Sequence, residues 1–253
     1  MTASFDQQDH TAADERRTGA RYHGRRRAGD REAGGSARDA DSPGAPVYGA
    51  LDLGTNNCRL LLARPDGDSF RVVDAFSRII RLGEGVYETR RLSERAMART
   101  IDALSICTDK LARRNVTRSR LIATEACRIA ANSGEFIERA RHDAGLSIEI
   151  VTQETEAKLA VSGCASLIDR ASDFTLVFDI GGGSSELIWL DLARLGRPWR
   201  RTLHDRLDVQ TCIAAWISLP IGVVSVATRC RGKITFPVVR APFHSRCAMY
   251  CSA

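Results

Sequence analysis

The sequence predicts an α/β protein in which one strand–turn–strand unit occurs twice. Two observations lead to that fold class. Between residues 47 and about 168, apolar runs of strand length and segments of helical period follow one another in the order βββαβαβα. The opening of this series, Leu51-Asp52-Leu53-Gly54-Thr55-Asn56, returns 127 positions later as Phe178-Asp179-Ile180-Gly181-Gly182-Gly183. Such self-similarity marks a repeated supersecondary unit, and hence two related lobes. Composition agrees, since 43% hydrophobic and 27% charged residues are ordinary for a globular protein. No apolar run approaches the roughly 18–20 residues of a bilayer-spanning helix. The N-terminus lacks the apolar region of a secretory signal, so the expected setting is cytoplasmic, with no membrane partner.

Residues 1–46 contain no Leu, Ile or Val, and their eight Arg balance eight acids. Too little apolar surface can be buried there to offset ordering entropy, so a disordered N-terminal arm is expected. Order begins at Val47. Residues 47–53 read as a buried strand, 58–63 as its hairpin partner and 70–80 as a third strand, followed by the loop Leu82-Gly83-Glu84-Gly85. Ser93 offers an N-cap, and Met97, Ile101, Leu104 and Leu111 share one helical face as far as about Arg114. A strand over 119–124, a helix over 133–144 closed by Gly145, a strand over 147–152 and a helix from Glu154 to about Ile168 complete the first series. The second copy supplies strands over 174–180 and 186–192, with 214–226 as its third strand. The sequence divides accordingly into a first lobe at 47–170, an incomplete second lobe at 171–226 and a tail at 227–253.

The two Asp-Gly turns are where chemistry is expected. Glycines allow a tight turn whose backbone N–H groups converge on one small volume, a nest suited to phosphate oxygens. An Asp at the strand end can hold Mg²⁺, which takes a few carboxylates together with phosphate oxygens. Two such turns facing each other would grip a phosphate chain and its metal. A single turn of this kind is also an ordinary hairpin feature; the matched pair makes the functional reading the stronger one. Neither a Walker loop nor a dinucleotide-binding glycine pattern is present.

These turns, with Arg81-Leu82-Gly83-Glu84-Gly85, Leu92-Ser93-Glu94-Arg95-Ala96-Met97, Ala123-Thr124-Glu125-Ala126-Cys127-Arg128, Glu154-Thr155-Glu156-Ala157-Lys158-Leu159 and Ser218-Leu219-Pro220-Ile221-Gly222-Val223-Val224, resemble the exopolyphosphatase/guanosine pentaphosphate phosphatase (Ppx/GppA) family. That family lies within the sugar kinase/heat-shock chaperone/actin superfamily, and the resemblance covers residues 47–226. It implies an actin-like, ribonuclease H-like first lobe followed by an incomplete second lobe. The implied activity is release of terminal phosphate from polyphosphate or guanosine pentaphosphate. By the same resemblance Glu156 positions or deprotonates the attacking water, and Arg128 neutralises the transferred phosphoryl group. Asp52 and Asp179 hold Mg²⁺, while Gly54, Thr55, Asn56, Gly181, Gly182, Gly183 and Ser184 cradle phosphate oxygens. Glu125 and Glu154 are rivals for the acid. Cys127 reads as packing rather than as a nucleophile. Family members often pair as homodimers through later domains.

The chain departs from the family pattern at Lys158, where Arg is usual, and at its end. Residues 227–253 carry five basic residues, no acid, and Cys230, Cys247 and Cys251, so most of the net charge of +6 lies there. The composition change leads to the expectation of a truncated, out-of-frame end and of weak or no phosphatase activity in this chain. Regularly spaced base-stacking aromatics are missing, which argues against a nucleic-acid partner. The alternatives are an ATP-dependent kinase of the same superfamily and a non-catalytic anion or nucleic-acid binder. Cys58, Cys107, Cys127, Cys164 and Cys212 are scattered and match no metal-ligand spacing, which fits free thiols in a reducing compartment.

Overall fold

The computed structural model describes residues 45–169, 171–195 and 207–229. The expected arm at 1–46 and the basic tail at 227–253 lie outside the described residues, except for positions 45–46 and 227–229.

Strands β1 (Val47–Leu53), β2 (Asn57–Asp66) and β3 (Ser69–Ile79) form an antiparallel meander. Their short connections leave no other pairing open. In β1 the buried residues Val47, Gly49, Leu51 and Leu53 alternate with exposed Tyr48, Ala50 and Asp52. That alternation puts Asp52 on the opposite sheet face from the core. After a one-turn helix, α1 (Val86–Thr89), the long helix α2 (Glu94–Arg113) crosses over. The Ser93 hydroxyl caps α2 by accepting from the Ala96 N–H. The buried residues Met97, Thr100, Ile101, Leu104 and Cys107 of α2 recur at three- and four-residue spacing.

This crossover lets β4 (Val116–Ala123) run parallel to β1. The helices α3 (Glu125–Ile129) and α4 (Ser133–Ala144) follow, and a short β5 (Glu149–Ile150) pairs parallel with β4. The first sheet has the order β3-β2-β1-β4-β5. Helix α5 (Gln153–Cys164) then leads to a second, three-stranded antiparallel sheet of β6 (Phe174–Ile180), β7 (Ser185–Asp191) and β8 (Ile213–Leu219), closed by α6 (Val223–Arg229).

Each sheet has its own core. One buried cluster runs from Val47 to Ile148, and the other joins Ala157, Val161 and Ala165 to Val177, Ile188, Leu190, Val209 and Cys212. Helix α5, grouped by sequence with the first lobe, therefore packs its apolar stripe on the second sheet. Five further differences from expectation stand out. Helices α1 and α3 are extra, too short to show a period in sequence. Strand β4 begins at Val116 rather than Ser119, and β5 keeps only two of its six expected residues. Helix α5 ends at Cys164 in a 3-10 turn. The third strand of the second unit stops at Leu219, because Pro220 cannot donate to a ladder and 223–229 turn helical instead. Cys58, Cys107, Cys127, Cys164 and Cys212 are free thiols, all buried except Cys164, which is half-buried. Among the described residues no helix is long and apolar enough to cross a membrane.

Candidate active site

The two Asp-Gly turns close on the same backbone bond. The Gly54 N–H donates to the Asn57 carbonyl at 2.9 Å, and the Gly181 N–H donates to the Ser184 carbonyl at 2.9 Å. Each turn is also seated on the chain that follows its third strand. In the first unit the Ile80 and Arg81 N–H groups donate to the Asn56 carbonyl, and the Gly83 N–H donates to the Thr55 carbonyl. In the second, the Val223 N–H donates to the Gly181 carbonyl and the Val224 N–H to the Gly182 carbonyl. Both seats are packed closely around a glycine. A Cβ on Gly83 would run into Thr55 Cγ2, and one on Gly222 would meet the backbone of Gly181, Gly182 and Gly183. Arg99, reaching over from α2, fixes the first seat by donating from Nε to the Ile80 carbonyl at 2.6 Å and from Nη2 to the Arg81 carbonyl.

The turns face each other closely. A Cβ built on Gly182 would lie 3.2 Å from Asn56 Cβ and 3.3 Å from Thr55 Cβ. A cleft of about 510 Å³ opens beside them. It is lined by Asp52, Gly54, Thr55, Asn56, Glu156, Asp179, Gly181, Gly182, Gly183 and Ser184, so ten of the eleven residues singled out in the sequence meet at one place.

Arg128 is the eleventh, and it stands behind the wall. Its Nε and Nη2 donate to Glu125 Oε2 at 3.1 and 2.7 Å, Nη2 also to Glu156 Oε2 at 2.8 Å, and Nη1 to the Val151 carbonyl at 2.8 Å. Both N–H groups of Nη2 are engaged, so for Nη2 to meet a phosphoryl group one of its two carboxylate contacts has to be exchanged. Thr152 caps α5 by accepting from the Thr155 N–H, which sets Glu156 in the first helical turn. Burial pushes the Glu156 carboxyl up to about 7; Arg128 opposes this, while the like charges of Glu186 and Asp52 add to it. Asp52 is reached by solvent from the cleft yet crowded by protein. That crowding raises its pKa, with Arg59 opposing and Asp179 reinforcing the shift.

The rivals resolve into different places. Glu154 pairs with Lys158 on the exposed side of α5 at 2.7 Å, and neither residue lines the cleft. Glu125 lines the cleft but is buried and committed to Arg128. Burial pushes the Cys127 thiol up to about 12, which suits packing and not nucleophilic attack. Glu186 was missed in the sequence. It lines the cleft at 1% exposure, directly across the ladder from Asp179, and accepts from the Ser218 hydroxyl at 2.7 Å. Burial raises its pKa, Ser218 and Ser184 oppose this, and Asp179 adds to it. The alternation of β7 from the turn onward was the available signal, because it puts position 186 on the same face as 179.

A model of the Ppx/GppA phosphatase family matches residues 61–238. The match extends past Val226, where the resemblance was expected to stop. The chain is 35% identical over 147 residues to the guanosine-5'-triphosphate,3'-diphosphate pyrophosphatase of Photobacterium profundum, covering 58% of this chain and 29% of that protein. The crystal structure of the Aquifex aeolicus member of the Ppx/GppA family superposes with a TM-score of 0.57 at 29% identity, over 73% of this chain and 54% of that one. An exopolyphosphatase from Cytophaga hutchinsonii ATCC 33406 superposes with a TM-score of 0.62 at 24% identity, over 72% of this chain and 53% of that one, a likeness of fold. The chain thus spans just over half the length of these solved relatives and under a third of the curated one. The α/β architecture predicted from the sequence is the one found, and the chain belongs to the Ppx/GppA phosphatase family.

Proposed function

We propose that this chain carries the hydrolytic cleft of a phosphoanhydride hydrolase, which releases terminal phosphate from polyphosphate or guanosine pentaphosphate. The observation that supports this most directly is Glu156, with its pKa near neutrality, on the wall of a cleft shared with both Asp-Gly turns. A carboxylate of that proton affinity is suited to take a proton from water near pH 7. In this reading the water oxygen bonds to the terminal phosphorus in line with the departing anhydride oxygen, and Glu156 receives the proton. Inorganic phosphate leaves, and the chain is shorter by one phosphate. The turn amides hold equatorial oxygens, and preorganised donors of this kind stabilise charge as it develops. Arg128 orients Glu156 and moves onto the phosphoryl group by giving up one of its present acceptors.

The donor set fits Mg²⁺. Asp52 and Asp179 line one cleft, and the nearby Asp179 raises the cost of charge on Asp52. An ion that takes one or two carboxylates and completes its shell with water and phosphate oxygens suits that set. Asp52 and Asp179 would hold it, and it would supply charge neutralisation on the phosphate chain. The partner in this reading is a soluble polyanion, not nucleic acid or a membrane. The five cysteines among the described residues are free thiols, which supports a cytoplasmic setting.

The test is phosphate release from both substrates with Mg²⁺, run alongside a longer family member. Glu156→Gln is expected to lower the rate about 10²–10⁴-fold. A rate unchanged by that substitution would remove Glu156 from the mechanism.

A further inference from the structure

Glu125 has no role in the scheme above, yet it is the most buried carboxylate on the first-sheet side of the cleft, at 4% exposure. It sits in the first turn of α3, and its Oε2 takes two N–H donors from the Arg128 guanidinium. The opposite edge of that guanidinium bonds the Val151 carbonyl, at the junction that launches α5. Nη2, shared between the two carboxylates, bonds Glu156. Four of the guanidinium's five N–H donors are thereby used, and two of the four go to Glu125. The Glu125 methylene also abuts the second turn, since a Cβ on Gly183 would lie 3.1 Å from Glu125 Cγ.

A flexible arginine beside a single carboxylate can pair in several ways. A second carboxylate holding its Nε edge leaves only one plane and one reach. We infer that Glu125 is a positioning residue, which locks the Arg128 guanidinium in the plane that presents Nη2 to Glu156 and keeps it anchored when that contact is exchanged for a phosphate oxygen. The inference rests on the hydrolytic reading of the cleft. Its physical core, the locked guanidinium, stands on the bonds above. Glu125 touches neither water nor phosphate in this account, so its removal acts through Arg128 alone.

The experiment is a double-substitution cycle with a spectroscopic arm. Glu125→Gln is expected to lower kcat about tenfold while KM stays within about twofold, and to have no further effect in an Arg128→Met background, as residues acting through one another are non-additive. Glu125→Asp, which keeps the charge, is expected to restore part of the loss. In parallel, the Arg128 Nε–H, held by Glu125, is expected to give a resolved, slowly exchanging signal in ¹⁵N NMR of the intact chain. That signal is expected to collapse into the solvent-exchanging arginine envelope in Glu125→Gln and to return in Glu125→Asp. Equal losses of kcat in both backgrounds, a rise in KM matching the fall in kcat, or an unchanged Nε–H signal would overturn the inference. If the parent chain releases no phosphate, the kinetic arm counts against the hydrolytic reading, and the Nε–H signal alone decides the positioning role.

Discussion

The two Asp-Gly hairpins share a backbone and differ in charge. Seven residues after the acid, and directly across the ladder from it, the first hairpin carries Arg59 and the second carries Glu186. Asp52 is thus offset within its own hairpin, whereas Asp179 faces a buried acid. The seats differ as well. The first turn rests on a loop held by the Arg99 side chain, and its tight point is against the side chain of Thr55. The second rests backbone against backbone on the start of α6. The turn bond itself, glycine N–H to the carbonyl three residues on, needs only local chain. It can therefore be kept while its surroundings change, so one unit of structure has acquired two electrostatic characters.

The largest test of this contrast is steric. Gly222→Ala drives a methyl group into main chain that cannot rotate away and is expected to cost about 3 kcal/mol or more. Gly83→Ala meets a side chain and is expected to cost about 1–2 kcal/mol, largely recovered by adding Thr55→Ser. Urea denaturation measures both, and equal costs would erase the distinction between the seats.

Next comes the charge on the cleft wall. The folded-state pKa of Glu156 lies above that of an unfolded glutamate, so its contribution to stability is fully present below about pH 4.3 and is lost as pH rises to about 7. Relative to Glu156→Gln, the parent chain is expected to lose about 3–4 kcal/mol across that window. Glu186→Gln is expected to lower the Glu156 midpoint by about half a pH unit or more, and Arg59→Gln not to lower it. A lowering of similar size from both hairpins would mean that their opposite charges do not matter at the cleft.

A smaller contrast concerns the sheets. The first has five strands and the larger core. The second has three strands and leaves Phe174, Leu176, Trp189 and Ile217 exposed. Amides of β1 and β4 are expected to exchange at least about tenfold more slowly than those of β6 and β8. The smallest effect is expected at the exposed Arg120–Glu149 pair that ties β4 to β5, where Arg120→Ala should cost under about 1 kcal/mol.

What could be read in advance followed from local periodicity. Strands β1 to β3, the long helix α2 with its Ser93 cap and both turns come from alternation, apolar spacing and glycine, all short-range signals. Nine of the ten site residues that meet in the cleft belong to the two turns announced by the repeat, and the tenth, Glu156, came from the family resemblance. Other features depend on through-space partners that no window of sequence contains. The siding of α5 with the second sheet, the retreat of Arg128 behind two carboxylates and the burial of Glu186 are of this type. Helix α6 is the plainest case, because 223–226 are β-branched or small and read as strand, yet the N–H groups of Val223, Val224 and Ser225 are captured by carbonyls of a turn some forty residues earlier.

All three tryptophans of the chain, Trp189, Trp199 and Trp216, follow the second turn in sequence. Trp189, stacked on Phe174 with centroids 5.8 Å apart, and Trp216 both lie in the second sheet. Tyr48 and Tyr87, by contrast, belong to the first unit. Excitation near the red edge of protein absorbance therefore lights no reporter in the first sheet. The molecule comes with its own optical label, and a shift of emission on adding a polyanion would tell which of the two halves has felt it.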